Sequence, residues 1–101
     1  MSYSLVIDPK AIEDIQQAID YYDEQQSGLG KRFESALNKR LLTLEKNPFF
    51  QNRYDQVRCL PMKRFPFMVH FTINEKQSIV TIRAVFHTSL DPQKWNKRKK
   101  K

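Results

Sequence analysis

The apolar residues of this chain change their spacing once, and that change dictates the fold class. From Ile12 to Leu44 they recur every three or four residues; from Val57 to Phe86 they recur every second residue. The first period paints one stripe along a helix, the second one face of a strand. A chain of 101 residues that runs through both is a single α+β domain, a helical part laid on a sheet part.

Residues 3–7 read as a short strand ended by Asp8-Pro9. Asp8 suits a helix N-cap and Pro9 the first helical position, where a missing N–H costs nothing. Ile12, Ile15, Ile19 and Tyr22 then form the stripe of a first helix, with Glu13 and Asp14 near its positive end. Ser27-Gly28-Leu29-Gly30 holds both glycines of the chain and reads as the tight link of a helical hairpin. Leu29, Phe33, Leu37, Leu41 and Leu44 mark the second helix, with Lys31, Arg32, Lys39, Arg40 and Lys46 facing water; Asn47-Pro48 stops it. Residues 49–55 read as a loop. Three strands follow, over 57–62, 65–73 and 80–86, the last two joined as a hairpin across the polar turn 74–78. The expected order is β-α-α-β-β-β, the helical hairpin packed on one face of a small, mainly antiparallel sheet.

Several functional classes are excluded by what the chain lacks. No apolar run approaches the roughly 18 residues of a membrane span, and no basic-then-apolar N-terminal pattern marks a secretory signal; a cytoplasmic protein without membrane association is expected. Cys59 is the one cysteine, so neither an internal disulfide nor a cysteine-based metal site is expected. Glycine-rich phosphate loops and nucleophile elbows are absent, and no cofactor is expected. The formal charge of +7 owes most to Lys94 and the run from Lys97 to Lys101. Residues 1–50 hold six basic and eight acidic residues, residues 51–93 six basic and three acidic. The sheet half is thus the basic half, which implies an anionic partner.

If Phe67 and Phe71 share one face with Val80, Ile82 and Phe86, the numbers of paired residues sum to an odd value, and symmetry about the turn selects 153. That sets Thr72 opposite Thr81, His70 opposite Arg83 and Met68 opposite Val85. His70 and Arg83 then lie side by side on the face turned away from the apolar set, joined by Arg58 and His87, with no carboxylate among them. Such a one-signed face could hold phosphate and stack bases, or support RNA cleavage by stabilising charge and moving protons. Without a carboxylate it offers no metal site. Cys59 takes inward parity as a buried core residue, and Trp95 is expected to pack as a C-terminal anchor.

Lys63-Arg64-Phe65-Pro66-Phe67, the strand Val80 to Phe86, and His87-Thr88-Ser89-Leu90-Asp91-Pro92-Gln93-Lys94-Trp95 together resemble the RelE/ParE toxin superfamily of type II toxin–antitoxin pairs, the ParE branch more than the RelE branch. The segment Ala11 to Tyr22 and the Asn47-Pro48 stop fit as well. The resemblance spans nearly the whole chain: one toxin domain over 1–93, followed by a basic tail over 94–101 expected to be disordered after Trp95.

The resemblance implies a toxin bound by a cognate antitoxin, as a toxin–antitoxin hetero-oligomer or a homodimer. It implies one of two activities: poisoning of DNA gyrase by binding, as in ParE-like members, or cleavage of mRNA on the ribosome, as in RelE-like endoribonucleases. By resemblance Arg64 matches the arginine before the F-P-aromatic strand, Arg83 takes a basic sheet position, and His87 matches the histidine after the last strand. These three are the candidate catalytic residues of a nuclease; with Arg58, Lys63 and His70 they are the candidate target- or anion-binding set. RelE-like nucleases carry a late catalytic tyrosine, whereas no tyrosine follows Tyr54 here, which favours a binder over an enzyme. ParE-like chains usually have tyrosine at the place of Phe67, and many have arginine at that of Leu90. A degenerate toxin that keeps only antitoxin binding is the further alternative.

Overall fold

A computed structural model describes residues 2–50, 52–54 and 56–89. Its elements are β1 (Ser4–Ile7), α1 (Pro9–Gln25), α2 (Leu29–Lys46), β2 (Asn52–Tyr54), β3 (Val57–Pro61), β4 (Phe67–Asn74) and β5 (Ile79–His87). The strands form one sheet in the order β1-β5-β4-β3-β2, with β1 parallel to β5 and every other pair antiparallel. This is the expected helical hairpin on a small, mainly antiparallel sheet. The one added element is β2, inside the segment read as a loop. At three residues it is too short to show an alternation, and pairing with β3 rather than patterning makes it a strand. No helix among the described residues is long and apolar enough to cross a membrane.

Helix α1 starts as its first residues dictate: the Asp8 carboxylate accepts the Lys10 N–H at 3.0 Å, and Pro9 occupies the first helical position. The two glycines divide their tasks. Gly28, with φ of 88°, makes the left-handed turn that ends the link. Gly30 lies inside α2 and is buried; a Cβ there would come within 2.5 Å of the Ile19 carbonyl and 2.8 Å of the Asp23 carboxylate. Its N–H donates to Asp23 Oδ1 at 2.8 Å, so the second glycine serves the close crossing of the helices rather than the turn.

The core lies between the hairpin and the sheet. Phe33, Leu37, Leu41 and Leu44 of α2 and Ala11 and Ala18 of α1 pack with Leu60, Met62, Val69, Phe71, Val80, Ile82 and Val85. An aromatic cluster closes one end: the Tyr22 and Phe33 rings lie 5.5 Å apart, and each lies 5.0–6.1 Å from those of Phe65 and Phe67. Burial there, and to a lesser degree the neighbouring Tyr21, push the Tyr22 hydroxyl pKa up.

The β4–β5 ladder departs from simple alternation. Thr72 faces Thr81 and Phe71 faces Ile82 as expected, but His70 then faces Ala84, Val69 faces Val85 and Met68 faces Phe86. Arg83 is the extra residue of a β-bulge. Past it the parity of β5 inverts: Val85 joins the helix-side core, while Ala84 and Phe86 turn to the other face beside His70. The expected pairings of His70 with Arg83 and of Met68 with Val85 are corrected accordingly. The β3 parity is corrected too. Leu60 and Met62 enter the helix-side core, and Cys59, paired with His70, is buried on the opposite face.

Candidate functional site

The six basic and imidazole side chains of the candidate target- or anion-binding set, four of them expected on one sheet face, occupy separate places. Arg83 keeps its outward position because it follows helix-side Ile82 in ordinary alternation and the parity of β5 inverts only past it. Its Nε donates to Thr72 Oγ1 at 3.1 Å, and its Nη1 lies 3.6 Å from Asp8 Oδ2. This face therefore does carry a carboxylate. Asp8 caps α1 with one oxygen and meets Arg83 with the other, a pairing invisible in the sequence because 75 positions separate the two.

His70 is fully buried. Its Nδ1 lies 3.4 Å from Cys59 Sγ, and its ring stands edge-on to Phe86 with centroids 5.1 Å apart. A side chain so enclosed among apolar groups belongs to packing. Arg58 shares its register position with Phe71, hence the parity of the helix side, away from Arg83. It donates to the Phe50 carbonyl at 2.7 Å and lies 5.6 Å over the Phe49 ring. Both groups tie down the loop that follows α2.

His87 ends β5, exposed, with its ring edge-on to Phe67 at 5.2 Å. Its Nδ1 accepts the Ser89 N–H at 3.1 Å, and the Ser89 hydroxyl lies 2.7 Å from the same nitrogen. It lines a pocket of about 340 Å³ with Asp14, Gln17, Ala18, Phe67, Val85 and Phe86. Asp14 is a residue the sequence reading missed. β1 pairs with β5 only as far as Ile82, and past that point Asp14 Oδ2 on α1 accepts the Val85 N–H at 3.0 Å. Among the described residues no three His, Cys, Asp or Glu side chains gather where they could share a metal ion.

Lys63 and Arg64 are exposed on the β3–β4 connection. That connection is held at three points: Met62 N–H donates to the Phe67 carbonyl at 2.9 Å, Phe67 N–H to the Phe65 carbonyl at 2.8 Å, and Thr88 N–H to the Pro66 carbonyl at 2.8 Å. The two cations face α2 across an open groove of about 840 Å³, whose other wall holds Lys31, Arg32, Lys39 and Arg40. Arg40, expected to face water, instead donates from Nε and Nη2 to the Pro61 carbonyl at 3.1 and 3.0 Å and so fixes the spacing of the two walls. The Leu90 position, Trp95 and the basic tail lie outside the described residues.

No sequence among the curated proteins matches the chain. Solved structures match its fold. A chain of the chromosomal ParDE system from P. aeruginosa superposes with a TM-score of 0.77 at 17% identity, covering 87% of this chain and 98% of that one. A mutant of the E. coli toxin RelE in the free state gives 0.69 at 13% identity, covering 99% and 97%. A chain of the intact E. coli RelBE toxin–antitoxin complex gives 0.68 at 14% identity, covering 88% and 100%. Identities this low establish a shared fold and no more. The family model of the ParE toxin of the type II toxin–antitoxin system, parDE, matches residues 5–92. That span runs from β1 through α1, α2 and the whole β3–β5 meander, so the chain belongs to the ParE toxin family.

Proposed function

We propose that this chain is the toxin of a type II toxin–antitoxin pair, that it stops growth by binding a target of the DNA gyrase class, and that a cognate antitoxin neutralises it. Family membership over residues 5–92 supports the toxin assignment. The ParDE and RelBE systems that share its fold support an antitoxin partner.

The observation that favours binding over RNA cleavage is the placement of Arg83 apart from Arg64 and His87. Phosphodiester cleavage needs charge stabilisation and proton transfer within hydrogen-bond reach of one phosphate. Arg64 stands on the groove beside α2, Arg83 is engaged by Thr72 and Asp8 on the far side of the sheet, and His87 lines the pocket beside α1. Thr88 N–H donates to the Pro66 carbonyl, so the end of β5 lies beside the segment that carries Arg64, but Arg83 lies across the sheet from both.

Induced expression of the full chain in a bacterium tests the proposal. Filamentation with DNA-damage signalling, together with inhibition of supercoiling by purified gyrase, is the expected outcome. Rapid collapse of translation with cleaved mRNA would replace binding by ribosome-dependent cleavage. Unaffected growth with soluble protein present would leave a degenerate toxin that binds its antitoxin only.

A further inference from the structure

We propose that the groove between α2 and the β3–β4 connection binds the phosphodiester backbone of a nucleic acid. Six of its eleven lining residues are cations, Lys31, Arg32, Lys39, Arg40, Lys63 and Arg64, and none is acidic. The acidic residues of α2, Glu34 and Glu45, are not among the lining. A one-signed wall of this density is self-repulsive, and in an ordinary surface the two signs are interspersed. Here they are segregated, although α1 and α2 together carry more acids than bases.

The arrangement suits a repeating anion. Lys31 and Arg32 precede Lys39 and Arg40 by eight positions, so the two cation pairs stand about 12 Å apart along one side of the helix. Lys63 and Arg64 oppose them from the second wall. A chain carrying one charge per nucleotide can meet each pair in turn, and the guanidinium heads of Arg32 and Arg64 present the planar fork that matches phosphate oxygens. Arg40 acts as a positioning residue: its two bonds to the Pro61 carbonyl hold the second wall in place. An acidic protein helix is the weaker fit. Helix-in-groove recognition relies on apolar anchors at helical spacing, and the apolar lining here is Leu29, Ala36 and a half-buried Phe65 already packed on Phe33 and Tyr22.

The test uses the full chain and fluorescence anisotropy with a single-stranded oligonucleotide of about 12 nucleotides, the same sequence as a duplex, and a polyglutamate peptide of equal charge. Arg32→Gln/Lys39→Gln removes two groove charges; Lys46→Gln/Lys76→Gln removes two exposed charges elsewhere and leaves the basic tail intact in both. The groove variant is expected to bind at least about tenfold more weakly. Its slope of log affinity against log salt should be shallower by roughly 1.4 on single strands or 1.8 on duplex, while the control stays near wild type. The tighter of the two nucleic-acid probes identifies the source of the backbone. Equal weakening of both variants would overturn the proposal in favour of diffuse attraction. Polyglutamate binding tighter than either nucleic acid, and lost in the groove variant, would overturn it in favour of an acidic protein partner. Circular dichroism confirms that each variant is folded.

Discussion

The β4–β5 ladder has two halves that share strands and residue types yet present opposite surfaces. Between the turn and Arg83 the face away from the helices holds Thr72, Thr81 and Arg83, polar and open to solvent or half-open. Between Arg83 and the end of the hairpin the same face holds His70, Ala84 and Phe86, all buried, with Cys59 beside them. One added residue causes the difference. Strand side chains have a period of two, so a single bulge residue moves every later side chain of β5 to the other face. The outer face is therefore polar over half its length and apolar over the rest, and Arg83 marks the border.

Substitutions in each half put that contrast to the test. The largest effect is expected in the regular half. Phe71, fully buried opposite Ile82, anchors the helix-side core, and Phe71→Ala should cost about 3–5 kcal/mol, read as a lower urea midpoint. Beyond the bulge the ladder leans on α1 instead. Asp14→Ala leaves the Val85 N–H without its carboxylate acceptor, and a loss of about 1–3 kcal/mol is expected. Asp14→Asn retains an acceptor oxygen and should recover part of it. If Asn and Ala prove equally destabilised, the carboxylate serves some other contact and the N–H is satisfied without it.

The contrast also explains what was legible in the sequence. Both helices, the Asp8-Pro9 start and the three long strands follow from local patterning, because apolar periodicity and capping residues record burial and termination directly. The Thr72–Thr81 pairing followed from symmetry about the turn. Alternation holds a single parity, however, and cannot show where a strand takes an extra residue, so it does not reveal that Ala84 and Phe86 turn onto the His70 face and bury it. Arg58 is hidden for another reason: β3 takes no extra residue, but both its parities are apolar, Val57 and Cys59 on one and Leu60 and Met62 on the other, so alternation does not say which one faces the helices. Gly30 reads as part of the turn because a glycine needed for close approach looks the same in sequence as one needed for positive φ. Lys63 and Arg64 enter through the resemblance, from their place before the F-P-F strand, and the structure puts both on the exposed β3–β4 connection. The four α2 cations facing them read only as solvated charges, since nothing local says which part of a helix surface a distant loop will approach.

The smallest expected effects lie at the border residue itself. Arg83 is half exposed and its ion pair with Asp8 is 3.6 Å long, a geometry for which surface pairs contribute within about 1 kcal/mol. Arg83→Ala should therefore shift stability by no more than that, with the shift shrinking further at high salt as the pair is screened. Removing residue 83 altogether is the sharper experiment. In a chain lacking Arg83, Ile82 still meets Phe71 and Ala84 still meets His70, now as successive rungs, and Val85 keeps its seat in the core. Such a chain should fold and lie within about 1 kcal/mol of Arg83→Ala, because both lose the same side-chain contacts. A much larger loss in the deletion would mean that the extra twist of the bulge holds β5 under α1 and aims the Val85 N–H at Asp14; the two halves of the ladder would then be a single mechanical unit rather than two faces divided by one residue.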